Sequence, residues 1–500
     1  MISQTEAVEL RSNEARSKGS ALKLIAALLE ALQLEDVTYC HWKSNDVLHR
    51  SATGENDLDL LVLNDHAARF VQVLCQLNFK QAQVPDDQSM PGVLDYYGYD
   101  DDTGRVVHVH AHFRLVIGDD RAKNYHLPVE RAYLAERSES LGFAIPNPNF
   151  EFVVFVIRMK LKHCCWDAVL AGKGRLSALV RSEFEYLRAR VDSSHVNEVL
   201  SRQLPFIDAA MFSRCVRSLE PGASLWSRMS TARQLQKALD AQTHQSYFAN
   251  VGTKAWRRIG RMVRRRTQSS VTRRRLSSGG AIIAIVGGDG AGKSTAVNSV
   301  ESWLGDVLAT QKCHLGRPRK SWTTNSVRAI LKIGKLCGFR VQLGTTDNKP
   351  ANLLGHVKMF REVCRARDRY RTFVKARRFA NRGGIVICDR FPLSQIKLMD
   401  NARIGVMANT CRAGQWSEWL RRMERAYYDA MLPPELLLLL RLDPEIAVRR
   451  KTDEGAAYVH TRSSEIWRLE DSPLNARVVD ASQDKEEVLA EIRRLIWMTI

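Results

Sequence analysis

Residues 281–295 read AIIAIVGGDGAGKST, an apolar run entering a glycine-rich turn that ends in Lys293, Ser294 and Thr295. Gly287, Gly292, Lys293 and Ser294 complete the pattern G-x-x-x-x-G-K-[ST], with Asp289 and Gly290 inside it. Glycines let the backbone curl until successive N–H groups point into one concavity, which binds anions. A helix starting there adds its positive N-terminal dipole. Lys293 then reaches the β- and γ-phosphates of ATP, and the Ser294 hydroxyl is a ligand for Mg2+. A chance glycine turn would lack the buried-strand pattern Ala281–Val286 that leads into this one. Residues 287–295 are therefore expected to bind the nucleotide.

A second set of reactive side chains lies near the start of the chain. Asp57 and Asp59 stand two apart in DLDLLV, shortly after Lys43-Ser44. Carboxylates two apart on a strand share a face, a geometry suited to holding Mg2+ and a nucleotide's phosphates. Farther on, 105–115 alternates so that His108, His110 and His112 share a face with no acid among them. Three chemistries fit that face: a transition-metal site, a His110 standing in for a carboxylate, or a polar cleft lining without catalysis.

Positioning these groups requires two kinds of sheet. After the phosphate loop, 383–391 reads GGIVICDRF, a second buried strand that delivers Asp389 and Arg390 at its C-terminal end. Ligands in open α/β sheets bind at that edge. Both residues are then expected at the phosphates, Asp389 with the metal and Arg390 on an acceptor phosphate; the bland alternative is a structural ion pair. Pro433-Pro434-Glu435, the run Leu436–Leu440, Asp443-Pro444-Glu445 leading to Arg449-Arg450-Lys451, and Arg477–Ser482 follow. This βα series predicts an α/β fold with a parallel sheet flanked by helices. Residues 20–140 instead mix a helix at 21–32 with strand-like segments, an α+β domain. Residues 150–250 read as a helical extension without a chemical constellation.

Asp289-Gly290-Ala291-Gly292-Lys293-Ser294-Thr295, Asp389-Arg390-Phe391, Pro434-Glu435-Leu436 with Asp443-Pro444-Glu445, and Asp480-Ala481-Ser482, in this order, resemble the thymidylate kinase family of P-loop nucleoside monophosphate kinases. Ala366-Arg367-Asp368-Arg369 is similar to that family's Ala-Asp-Arg acceptor segment. The resemblance, spanning 281–500, implies phosphoryl transfer from ATP to a monophosphate such as dTMP. It points Asp289, Arg369 and Arg390 toward the acceptor and Arg450 toward adenine or phosphate; a solvated helix end is the other reading of Arg450. Arg365 stands where the family usually stacks an aromatic ring on thymine, Val286 where it often has glutamate, and His314-Leu315-Gly316-Arg317-Pro318 is the nearest counterpart of its acceptor loop. Lys43-Ser44 followed by Asp57-Leu58-Asp59 resembles the nucleotidyltransferase superfamily, with Lys43 in the usual glycine position. That resemblance implies a third carboxylate from a later strand, which 105–115 lacks.

Five hundred residues exceed one core and predict several domains: 20–140, the extension 150–250, a basic linker 254–280 and the kinase-like 281–500. With 45% hydrophobic and 26% charged residues the composition is globular. Ten scattered cysteines without a C-x-x-C pair suggest reduced thiols in a cytoplasmic protein. No signal-like apolar core opens the chain, and Leu436–Leu440 is too short to span a bilayer. The net charge of +20 concentrates between Lys254 and Arg275, with ten Lys/Arg and no acid. Trp256, Ile259 and Val263 fall at i, i+3 and i+7, a basic amphipathic helix weakened by Gly260. Three roles fit this segment: a solvated interdomain linker packed by its apolar stripe, an anionic membrane surface that makes the protein membrane-peripheral, and nucleic acid contact. A homodimer is compatible with all three.

Two function classes follow. One is a kinase acting on a nucleotide or another phosphorylated small molecule, fused to a nucleotidyltransferase-like domain. The other is a non-catalytic P-loop switch. Acceptor-side arginines favour the kinase, because a switch has no use for them.

Overall fold

The computed structural model describes residues 21–85, 89–119, 122–170, 176–267, 273–336, 353–393, 395–396, 402–408, 415–452, 454–469 and 475–500; residues 268–272 of the expected basic linker lie outside these. The chain forms two compact units, Met1–Thr272 and Arg273–Ile500.

In the first unit the helix Lys23–Leu34 buries Ile25, Leu28 and Leu32 in a core shared with a twisted sheet. The strands are β1 (Tyr39–His41), β2 (Leu58–Val62), β3 (Lys80–Gln83), β4 (Val93–Asp100) and β5 (Arg105–His112), in the order β1-β2-β5-β4-β3. β2 and β5 are parallel, with Asp59 beside His110. β4 and β5 form an antiparallel hairpin that sets Asp95 on the other side of His110. The expected helices near 150–161 and 230–241 are Pro148–His163 and Leu225–Ala238. The first opens on an Asn147 cap with proline at its first turn, and is apolar nearly all round because other helices enclose it. Lys160 is fully buried there, and its ammonium reaches three acceptors: Ser218 Oγ and Arg228 O at 2.8 Å and Thr231 Oγ1 at 2.7 Å. All three donors are thus satisfied, which is the condition for tolerating a buried ammonium.

The second unit is built on β6 (Ile282–Gly287), β7 (Thr310–His314), β8 (Ile385–Asp389), β9 (Leu436–Arg441) and β10 (Ala476–Asp480). They run in the order β7-β8-β6-β9-β10, every neighbouring pair parallel. Parallel strands are covered on both faces, so they read as continuous apolar runs rather than alternations. All six residues of β6 and the first five of β9 are buried. The register places Asp389 opposite Ile285 of β6 and His314 of β7, so the ends of three strands meet at one edge.

Glu151 on the helix Pro148–His163 gives the first unit a pH dependence. It is 5% exposed and accepts from Asn45 Nδ2 at 2.9 Å. Burial pushes its carboxyl from 4.5 up to about 8, against the Asn45 hydrogen bond and with help from Glu183. Between those values the folded state keeps a proton that the unfolded chain releases, so stability falls as pH rises. Glu151→Gln should flatten that fall in the urea midpoint between about pH 5 and pH 8, followed by amide exchange in this helix. An unchanged slope would mean that the carboxyl ionises normally.

Candidate functional site

β6 ends at Gly287, and the chain turns through 288–292 into the helix Lys293–Gly305. Gly290 and Gly292 hold φ of +81° and +78°, the left-handed region that glycine enters without steric cost. Lys293 is 8% exposed; its Nζ donates to the Gly288 carbonyl and lies 4.0 Å from Asp289 Oδ1. Burial lowers its ammonium to about 8, opposed by Asp289 and Asp389 and reinforced by Arg390 and Arg462. A phosphate anion in the loop would relieve that strain on the charge. Ser294 and Thr295 are exposed at the helix start.

Asp389 closes β8 beside the strand that feeds this loop, and its Oδ1 is buried without a hydrogen-bond partner among the described residues. An orphaned carboxylate oxygen at a phosphate loop suits a hydrated Mg2+, and the Ser294 hydroxyl would be a second hard ligand. The residues present therefore fit that ion. Arg390 follows with φ +63°, while its N–H donates to Ile285 O at 3.3 Å. A left-handed backbone costs a non-glycine residue about 1–2 kcal/mol, so the turn is held against its own preference.

The remaining expected site residues have different settings. Arg369 is 3% exposed; Nε donates to Leu315 O at 2.6 Å, Nη2 to Gly316 O at 3.3 Å, and Nη1 to the Tyr428 hydroxyl. Its guanidinium ties down the segment after β7 through these carbonyls. Asp368 accepts from Ser321 N at 3.0 Å and Thr324 Oγ1 at 2.6 Å. Arg365 pairs with Glu362 at 2.9 Å. Arg450 ends the short helix Pro444–Arg450 and donates to Ala481 O at 2.9 Å. Arg462, unmarked by any motif, reaches from the helix Ala456–Trp467 to Asp289 Oδ2 at 3.0 Å. In the sequence it looks like one arginine on a solvated helix face.

The first unit carries its own cluster. Laterally paired strand residues share a face, so three strands deliver side chains to one place. His110 Nδ1 lies 3.3 Å from Asp59 Oδ1, and its Nε2 lies 3.1 Å from Asp95 Oδ1. His108 bridges Asp57 and Asp95 at 2.9 and 2.8 Å. Lys43 Nζ is 2.8 Å from Asp59 Oδ1, so Lys43 joins the cluster. Burial alone would raise the Asp59 carboxyl, but Lys43, His110 and His112 hold it well below the carboxylate range. Asp95 is lowered by the same balance, with His108 and His110 opposing burial. His110 is raised to about 9, because Asp59 and Asp95 outweigh its burial.

His112 shares the face, with Nε2 3.6 Å from Asp59 Oδ1, but it is buried and packed edge-on to Trp42, and burial drives it down to about 3. The sequence singled out no carboxylate beyond Asp57 and Asp59 for this cluster, and β4 brings one, Asp95, beside His110. A signal for it existed: the turn at Gly104 joins Asp100 to Arg105, and counting five residues back along each arm meets Asp95 and His110. Ligand atoms of Asp57, His108 and His110 lie within 4.8 Å of one another, close enough for one cation.

Comparison with known proteins bears on part of the chain. The uncharacterized ATP-binding protein YghR of Escherichia coli is 26% identical over 224 residues, 43% of this chain and 86% of its own length. The thymidylate kinase of Symbiobacterium thermophilum is 27% identical over 223 residues, 43% of this chain and 91% of that enzyme. A second Escherichia coli ATP-binding protein, YghS, is 25% identical over 222 residues and 92% of its length. This chain carries a P-loop kinase-like region. No protein-family model matches the chain. The parallel sheet with its flanking helices is compatible with a P-loop kinase fold, and the matched length is close to that of the unit Arg273–Ile500. Lys293→Ala should lower ATP-dependent phosphoryl transfer by on the order of a hundredfold or more, with the circular dichroism spectrum unchanged. Full ADP release by that variant would remove Lys293 from the chemistry.

Proposed function

We propose that the second unit transfers the γ-phosphate of ATP to a phosphorylated small molecule, a nucleoside monophosphate of the dTMP type being the first candidate. The observation that carries this reading is the juxtaposition of the Lys293 loop with Asp389 and Arg390 at the end of the adjacent parallel strand. Phosphoryl transfer needs positioned phosphates and compensated charge more than covalent assistance. Lys293 and the loop amides from Gly287 to Thr295 hold the donor phosphates, and Arg450 is assigned to the adenine or the phosphates of the nucleotide. Mg2+, held by Ser294 and Asp389, supplies charge neutralisation when bound. Arg390 supplies a cation for the acceptor phosphate, Arg369 shapes the 314–318 segment, and Asp289 is steadied by Arg462.

One observation favours a second acceptor class. Arg365, in the place of a thymine-stacking aromatic, is engaged by Glu362, which supports an acceptor without a pyrimidine to stack. For the first unit we propose divalent-metal-dependent nucleotide chemistry, with Asp57, Asp59 and Asp95 as hard oxygen ligands. The imidazoles of His108 and His110 would widen the choice of ion toward transition metals.

ADP release measured against a panel of nucleoside monophosphates and sugar phosphates tests the kinase reading, and ATP turnover indifferent to every acceptor would favour the switch. Arg390→Ala should raise the acceptor KM and lower kcat while ATP affinity by calorimetry stays constant. Loss of one charge-assisted contact costs about 1.5–3 kcal/mol, roughly ten- to a hundredfold. An equal loss in ATP affinity with the acceptor unaffected would move Arg390 to the donor side.

A further inference from the structure

The helix Tyr247–Thr267 packs with its amphipathicity inverted. Asn250 and Lys254 are 2% and 4% exposed, while Phe248, Trp256, Ile259, Met262 and Val263 are 84%, 75%, 54%, 58% and 53% exposed. At roughly 100° per residue, those five apolar positions fall within one arc about 120° wide, with Asn250 and Lys254 on the opposite side and Arg258 flanking the arc. Polar bonds hold the inner side: Lys254 Nζ pairs with Asp167 at 3.1 Å, and Arg258 Nη2 donates to the Asp167 carbonyl at 3.2 Å. A surface helix ordinarily buries its apolar stripe. The stripe Trp256, Ile259, Val263, which would pack inward in the linker reading of this segment, faces outward. The helix contains seven Lys/Arg and no acid, and Arg273, Arg274 and Arg275 follow it in sequence.

We propose that this helix binds the surface of an anionic lipid bilayer, its aromatic and aliphatic arc entering the boundary between headgroups and acyl chains. Charge and apolar surface together select that occupant. A basic helix with Trp, Phe and aliphatic residues on one side gains from apolar burial and from lipid phosphates at once. Among the described residues, the outward side chains Phe248, Trp256, Ile259, Met262 and Val263 offer no cation to a nucleic acid's phosphates. A second copy of the helix would set arginines against arginines. No helix among the described residues is long and apolar enough to cross a membrane, so the contact is with the surface.

The test is co-sedimentation of the full chain with vesicles of phosphatidylcholine containing about 30% phosphatidylserine, compared with pure phosphatidylcholine and with duplex oligonucleotides. Binding to the anionic vesicles is expected, weakening as salt rises. The double variant Trp256→Ala/Ile259→Ala should bind at least about tenfold more weakly, with circular dichroism and ATP affinity unchanged, since both side chains are exposed. Three results would overturn the proposal: vesicle binding by the variant equal to that of the parent, tighter binding to oligonucleotides than to anionic vesicles, or a dimer that the variant splits without any vesicle binding.

Discussion

Parallel pairing of β6 with β8 sets Ile285 opposite Asp389, and that register governs everything at the second unit's site. A parallel sheet sends all its strand ends to one edge, so the glycine turn after β6 and the Asp-Arg pair after β8 become neighbours without any loop having to be long. A slip of one residue would carry Asp389 to the other face of the sheet. The apolar runs of β6 and β9 guard against such a slip only in part, because every residue in them is buried. Polar anchors fix the rest: Ile282 N–H donates to Glu435 at 2.8 Å, and Glu435 is paired to Arg377.

The first unit reaches a comparable density of charged groups by another route. Its cluster comes from lateral neighbours across three strands rather than from strand ends, so it lies on a sheet face and not at an edge. That geometry couples the groups tightly. His108 and His110 each touch at least two carboxylates, and Asp95 touches both of these imidazoles. Removing one acid would therefore alter the charge state of several partners, which is how a polar network on a sheet differs from a set of independent ion pairs.

Local signals carried most of what could be read in advance. Gly287 through Thr295, the strand ending at Asp389, and the pair Asp57 and Asp59 are short patterns whose geometry follows from a single element. Groups that depend on two elements meeting were hidden. Arg462 acts through an ion pair with Asp289 that requires a helix far along the chain to fold back. Asp95 was recoverable only by drawing the hairpin, and the bonds from Arg369 to the carbonyls of Leu315 and Gly316 join segments far apart in the chain. The orientation of the helix Tyr247–Thr267 was also beyond reach, because a periodic pattern locates an apolar stripe without saying which way it turns.

The backbone at Arg390 sits in a left-handed conformation and is tied by its own N–H to the strand beside it. A peptide pinned in that way cannot swing, so the guanidinium is mounted on a fixed origin and varies only by its own rotamers. Whatever anion it grips is held at a separation from the phosphate loop set by the strand register, as on a ruler with one end bolted down. Tolerance for ligands of different length must then come from elsewhere in the unit.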